Sequence, residues 1–180
     1  MNRHEHCFQL SQLIRGTLVG VYVALVLPLP VLAPDALRLW LLAAVPFGLI
    51  VVLAMLSEQV IITNAGITVR HPAWCSWVLR RGWSLNWSEM KALVPVGTSQ
   101  GGKVFYITTY DQKHYLLPQR LQHFEQFLIL IESHSSLQTK GIGRLTPPWT
   151  YQLLAALAGL MIIGETTAAL AIQQGLVSIP

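Results

Sequence analysis

Three long apolar runs constrain this chain more than any other feature. They cover residues 17–33, 36–56 and 151–172. A bilayer core of about 30 Å is crossed by about 20 helical residues, so the second and third runs are long enough to span and the first sits at the lower limit. Pro28, Pro30 and Pro34 place a turn between the first two runs, which makes them antiparallel neighbours, and Pro46 predicts a kink inside the second. Composition agrees: 53% of the residues are hydrophobic and 11% charged, where a soluble domain carries roughly 25% charged residues. The first run has no small-residue cleavage site before the next begins, so it does not read as a secretory leader.

Between the second and third runs lies the one long stretch that is not membrane-like, residues 57–133. Glu58 to Thr63, Ile67 to Arg70, Trp83 to Trp87 and Lys103 to Tyr110 are strand-length segments rich in β-branched and aromatic residues. Asn64-Ala65-Gly66 supplies a tight hairpin turn. The second strand is broken by His71-Pro72-Ala73 and is expected to resume from Trp74 to Leu79. Thr98 to Gly102 reads as a flexible hairpin tip and Asp111 to His114 as a tight turn. Leu121, Phe124, Phe127, Leu128 and Ile131 then recur at helical steps, predicting an amphipathic helix over residues 118–133 that lays its apolar face on the sheet.

The fold class that follows is an α+β membrane protein, with three transmembrane helices in a two-plus-one arrangement and an antiparallel β domain between the second and third. The expected order is an N-terminal segment (1–16), a helical hairpin (17–56), the β domain (57–135), a linker (136–148), a third span (149–173) and a short tail (174–180). The polar N-terminal stretch, with His4, Glu5, His6 and Cys7, reads as flexible, because adjacent residues without a fixed turn do not preorganise a metal site. Cys7 and Cys75 are far apart and form no CxxC, which supports neither a disulfide framework nor zinc.

The order ITNAGI, a long second strand, LNWSEM leading to Val94, the strand pair around FYITTYD and YLLP, and the closing LQHFEQFLILI together resemble the bacterial pleckstrin-homology-like domain of membrane proteins. That resemblance, over residues 58–132, implies a strongly bent sheet of about seven strands closed by one helix, and it carries no shared catalytic residues. The layout of a membrane hairpin followed by a small sheet-and-helix domain is also similar to the cyanobacterial and plastid photosystem I assembly protein family, from which the third span departs. It implies a role in assembling a membrane complex, in a thylakoid membrane.

Net charge is +4, and the basic residues concentrate between Arg70 and Arg144. A basic polar domain beside apolar helices is a positive-inside signal, which puts the N-terminus and the β domain on the cytoplasmic or stromal side. Nothing resembles a recognition helix or an RNA-stacking motif, so no nucleic-acid partner is expected. No P-loop, GxGxxG or HExxH occurs. The chain is accordingly expected not to be an enzyme and to need no cofactor.

Two groups of residues remain as candidate sites. Trp74, Trp77, Trp83 and Trp87 flank Arg80 and Arg81, a combination suited to docking anionic lipid headgroups or a partner's exposed loop. The competing reading places alternate tryptophans in the core. In the helices, Gly16 and Gly20 form a GxxxG, and Ala155 and Gly159 share a face of the third run with Glu165, a carboxylate that costs a few kcal/mol in a membrane unless it is paired, protonated or near an interface. The partners expected are membrane lipids and a membrane-protein complex. The function expected is a non-catalytic adaptor or assembly factor; the alternative is a lipid-binding regulatory subunit of a transporter or enzyme.

Overall fold

The computed structural model describes residues 5–76, 79, 82–99 and 101–174. The chain forms two units: residues 1–12 with 54–147, and residues 13–53 with 148–180.

Among the described residues, the first unit holds seven strands in two antiparallel sheets. The four-stranded sheet runs β1 (His6–Gln9), β2 (Gln59–Ile62), β3 (Gly66–Arg70) and β4 (Trp83–Asn86). The three-stranded sheet runs β5 (Met90–Gly97), β6 (Lys103–Thr109) and β7 (His114–Leu116). The β2–β3 hairpin forms where the Asn64-Ala65-Gly66 signal puts it, with the Thr63 amide donating to the Gly66 carbonyl at 2.9 Å. Glycine is required at position 66 because a Cβ there would strike the Leu85 carbonyl of the adjoining strand. Alternating burial along the strands turns Val60, Ile62, Ile67, Val69, Phe105 and Ile107 into a shared core. Burying each such side chain contributes about 1.5–3 kcal/mol.

Four expectations are corrected in this unit. The N-terminal stretch is not a loose terminus: His6 to Gln9 pair in register with Ile62 to Gln59. Phe8 is buried and meets Phe127 edge-on at 5.6 Å. On its other side the stretch is tied down where the Ser11 amide donates to Arg120 and the Gln122 amide to Gln9, at 2.9 and 2.8 Å. The membrane-length hairpin is thus inserted into the β unit, between its first and second strands.

The second correction is at Trp74. The chain does not resume a strand there; the Cys75 and Ser76 amides both donate back to the Pro72 carbonyl, closing a turn. Third, the closing helix α4 spans Phe124–Ser135 and starts later than residue 118. Leu121 is occupied in a bridge to Leu10, and His123 enters the helix with φ 54°, so residues 118–123 serve the sheet first. Phe124, Phe127, Leu128 and Ile131 then bury the expected apolar face.

Fourth, the segment after α4 is more than a tether. Gln119, itself buried, donates through Nε2 to the carbonyls of Lys103 and Gly143 at 3.2 and 2.8 Å. Thr139 donates to Glu132 at 2.6 Å, and Leu137 and Ile142 pack on the core.

The second unit holds α1 (Gln12–Val26), the short α2 (Leu29–Leu32), α3 (Asp35–Met55) and α5 (Pro148–Gln173). Three stretches, Gln12–Leu32, Asp35–Met55 and Pro148–Ile172, are long and apolar enough to cross a membrane. Proline at the start of α5 suits a first helical turn, whose N–H groups have no partner anyway. At the α2–α3 turn Arg38 donates to the Pro30 carbonyl at 3.2 Å and lies 3.6 Å from Asp35. The Tyr22 hydroxyl donates to the Val45 carbonyl at 2.6 Å, joining α1 to α3. Gly48 leaves the room for that ring, since a Cβ there would collide with the Tyr22 hydroxyl.

Candidate functional site

The tryptophans do not form one surface. Trp87 is 9% exposed and belongs to the core. Its indole N–H donates to the Thr63 carbonyl at 2.9 Å, and its ring stacks on His134 at 5.3 Å. The short 3-10 turn Trp87–Glu89 holds it there, with Glu89 accepting from the Asn86 amide at 2.9 Å. A buried indole with a satisfied N–H is a structural residue, so Trp87 leaves the docking set. Trp83 is half-buried, packs on the core and lies 5.0 Å from the Tyr115 ring. Trp74, at 53% exposed, stays on the surface. Trp77, Arg80 and Arg81 lie outside the described residues.

In the helical unit, Gly20 approaches α5, where a Cβ on it would lie 4.0 Å from that of Ala158, and Thr17 donates to the Tyr151 carbonyl at 3.2 Å. Gly16 and Gly159 have nothing within 4 Å of such a Cβ, so GxxxG does not act here as a pair. Contact is made instead by a stripe. Tyr151, Ala155, Ala158, Ile162 and Glu165 are the covered positions at alternating four- and three-residue steps along α5, while most positions between them are exposed. Glu165 is therefore half-buried on the face that α1 shares, in line with Ala155. Its neighbours Thr166 and Thr167 bond their own helix, to Ile162, Ile163 and Gly164 at 2.9 Å, which satisfies hydroxyls without water.

Two features were not anticipated from the sequence. One is the outer face of the three-stranded sheet. Val94, Tyr106 and Leu116 are cross-strand partners there, beside Val96 paired with Val104 and Ala92 paired with Thr108. The signal was present: both parities of residues 92–96 and 104–107 are apolar, where a strand wet on one side alternates apolar with polar. The other is a cleft of about 440 Å³ lined by Ser84, Ser88, Glu89, Asp111, Lys113 and Tyr115, among others. Two carboxylates, an ammonium and hydroxyls line it, with no histidine or cysteine among the lining residues to serve as base or nucleophile. Among the described residues, no group of three His, Cys, Asp or Glu could hold a metal ion. His6 and Cys7 fall in β1, where successive side chains point to opposite faces.

Fold and surface together define an α+β protein with antiparallel sheets and three helices of membrane-spanning length, a combination compatible with membrane association. It is 39% identical over 160 residues to a Synechocystis protein designated Uncharacterized protein slr0269, in a match covering 86% of this chain and 80% of that one. The chain belongs to that protein's family. No family model matches the sequence, and no solved structure matches it.

Proposed function

We propose that this chain is a non-catalytic integral membrane adaptor or assembly factor. Its three long helices sit in the bilayer and hold a membrane-protein partner, and its β unit presents a basic surface to that partner's exposed loops. In this reading the seven strands and α4 constitute a PH-like domain. The N-terminus and the domain lie on the cytoplasmic or stromal side, and the membrane is the thylakoid of a cyanobacterium.

The observation that carries the reading is how the chain divides its polar and apolar groups. Several polar side chains of the β unit are engaged in structure: Glu89 with the Asn86 amide, Glu132 with Thr139 and Gln119 with two carbonyls. Large apolar side chains such as Leu39, Trp40, Phe47, Leu160 and Ile163 are left exposed on the helices. Arg70, Lys91, Lys103, Lys113, Arg120 and Arg144 are exposed on the β unit, and the one ion pair among the described residues lies elsewhere, between Asp35 and Arg38. Free surface cations beside apolar helices suit acidic loops of a partner complex. Supporting the location are the Synechocystis relative and the clustering of Lys and Arg in the β unit.

The same cations also fit the alternative, a regulatory subunit that binds anionic headgroups. Purification of the tagged chain from native membranes in mild detergent separates the two. Stoichiometric recovery of subunits or precursors of one membrane complex supports the adaptor. Recovery without protein partners, together with binding of the purified chain's exposed domain to phosphatidylglycerol vesicles, supports the regulator and overturns the adaptor.

A further inference from the structure

The register of the four-stranded sheet gathers three strand ends at one place. Gln59 pairs with Gln9 on one side and with Arg70 on the other. α1 begins at Gln12, just past Gln9, and α3 ends at Met55, just before Gln59. This end of the sheet is therefore where the chain departs for its apolar hairpin and returns from it. The opposite end carries the Asn64-Ala65 turn.

Depth follows from length. α3 has 21 residues, about 31 Å of helix, which matches a hydrocarbon core of about 30 Å. Ser57 follows Met55 so closely that it lies at most about 7 Å beyond the helix end. The headgroup layer on one side of a bilayer is about 5–7 Å deep, so Ser57 falls in or at the edge of it. Ser57 in turn locates the turn over residues 72–76. Its hydroxyl donates to the Ala54 carbonyl at 2.6 Å and lies 3.3 Å from the sulfur of the buried Cys75. Trp74 precedes Cys75 on that turn and is 53% exposed.

Charge at this end of the sheet is basic. Arg70, the last residue of β3, is exposed. Arg120 is exposed on the other flank, where its carbonyl accepts from the Ser11 amide immediately before α1. Glu58 is the acidic residue nearest in the chain. Glu5 and Glu89 belong to the opposite end: Glu5 precedes His6, the partner of Ile62, and Glu89 holds the amide of Asn86, the partner of Gly66.

We infer that Arg70, Trp74 and Arg120 seat the β unit on the anionic headgroups of the bilayer that its own helices cross. The indole lies among the headgroups, where an apolar ring with one polar N–H is best accommodated. The two guanidinium groups meet lipid phosphates. Three side chains are too few to hold a free domain on a membrane, but the adjoining spans keep them at a high effective concentration beside it. The contact leaves the exposed Lys91, Lys103, Lys113 and Arg144 to face a partner. It rests on the proposed membrane insertion and not on the identity of any client.

The test uses the full chain in phosphatidylcholine–phosphatidylglycerol liposomes, with Cys7→Ser removing the exposed thiol and Cys75 left in place because it is buried. Insertion is read first, by resistance to carbonate extraction; a protein that carbonate releases would overturn the membrane insertion and this inference with it. Ala73→Cys, beside Trp74, and Asn64→Cys, at the opposite end of the sheet, are both exposed positions and are each labelled with an environment-sensitive fluorophore. A nitroxide carried on the lipid headgroup serves as quencher. The expected result is blue-shifted, strongly quenched emission at position 73 and neither effect at 64. Quenching at 73 should fall with Trp74→Ala, with Arg70→Gln and Arg120→Gln combined, and when phosphatidylcholine replaces phosphatidylglycerol, a change that leaves the protein itself unaltered. Equal quenching at 73 and 64 in an inserted protein, or quenching at 73 that neither the arginine changes nor the loss of phosphatidylglycerol alters, would overturn the inference.

Discussion

Gln9 and Gln59 are register partners on adjacent strands, although the whole apolar hairpin from α1 to α3 separates them in the chain. The chain leaves the β unit and re-enters it at neighbouring points. Any membrane the hairpin enters it must therefore leave on the same side. The N-terminus and the β unit share a compartment for this geometric reason, whatever the distribution of Lys and Arg.

The first strand is accordingly part of the fold. Residues 57–147 produced alone lack Phe8, a buried side chain of the core, and leave the edge of β2 unpaired. They should aggregate or melt well below a version in which residues 5–11 are joined to them by a flexible linker. Thermal unfolding followed by near-UV circular dichroism compares the two; equal melting would show that β1 is dispensable.

Phe127 is completely buried and meets both Phe8, at 5.6 Å, and Phe124, at 6.0 Å. Phe127→Ala should cost about 3–5 kcal/mol, as large-to-small core changes of this type do. Because Phe8 shares that contact, the double variant with Phe8→Ala should lose less than the sum of the two single changes. Urea titration of the linked domain measures all three.

Gln119 ties the segment after α4 to the sheet. Its replacement by Ala leaves the Lys103 and Gly143 carbonyls without their donor, at about 1–3 kcal/mol. The expected signature is local: faster amide exchange near Ile142 and tryptic cleavage after Arg144, with the core strands still protected.

Trp87 and Trp74 should part company under the same substitution. Trp87→Phe removes the hydrogen bond to Thr63 and should destabilise by about 1 kcal/mol or more. Trp74→Phe should destabilise less than Trp87→Phe, because a ring 53% exposed withdraws less apolar area from water on folding. If both variants melt alike, the division of the tryptophans between core and surface is wrong.

Between α1 and α3, Tyr22→Phe should weaken the helical unit by about 0.5–1.5 kcal/mol through loss of the bond to Val45. Gly48→Leu should do more damage, because a side chain there displaces the Tyr22 ring. Thermal aggregation of the detergent-solubilised chain ranks the two.

What could be read in the sequence were the features written in neighbouring residues: the three apolar runs, the Asn64-Ala65-Gly66 hairpin and the spacing of Phe124, Phe127, Leu128 and Ile131. What could not be read was set by partners distant in the chain. Four residues, His6 to Gln9, carry too little pattern to announce a strand whose pairing lies beyond the hairpin. Trp87 looks like a surface anchor beside two arginines until Thr63 and His134 close over it. Gln119 reads as part of the first turn of the closing helix until Gly143 folds back upon it. The outer sheet face needed the strand register as well as the composition, because only the register separates Phe105 and Ile107 in the core from Val104 and Tyr106 on the other face.

The interrupted β unit is tested most directly by a disulfide between strands that the hairpin separates. Cys7 is the register partner of Ile61, and antiparallel partners have Cα atoms about 4.5–5.5 Å apart, within disulfide range. Ile61→Cys in membrane-inserted protein, with a protease site placed in the turn near Pro34, should on mild oxidation leave the two cleaved fragments joined until reductant is added. Fragments that separate without reductant, in a protein that is otherwise folded, would show that the N-terminal strand does not complete the sheet.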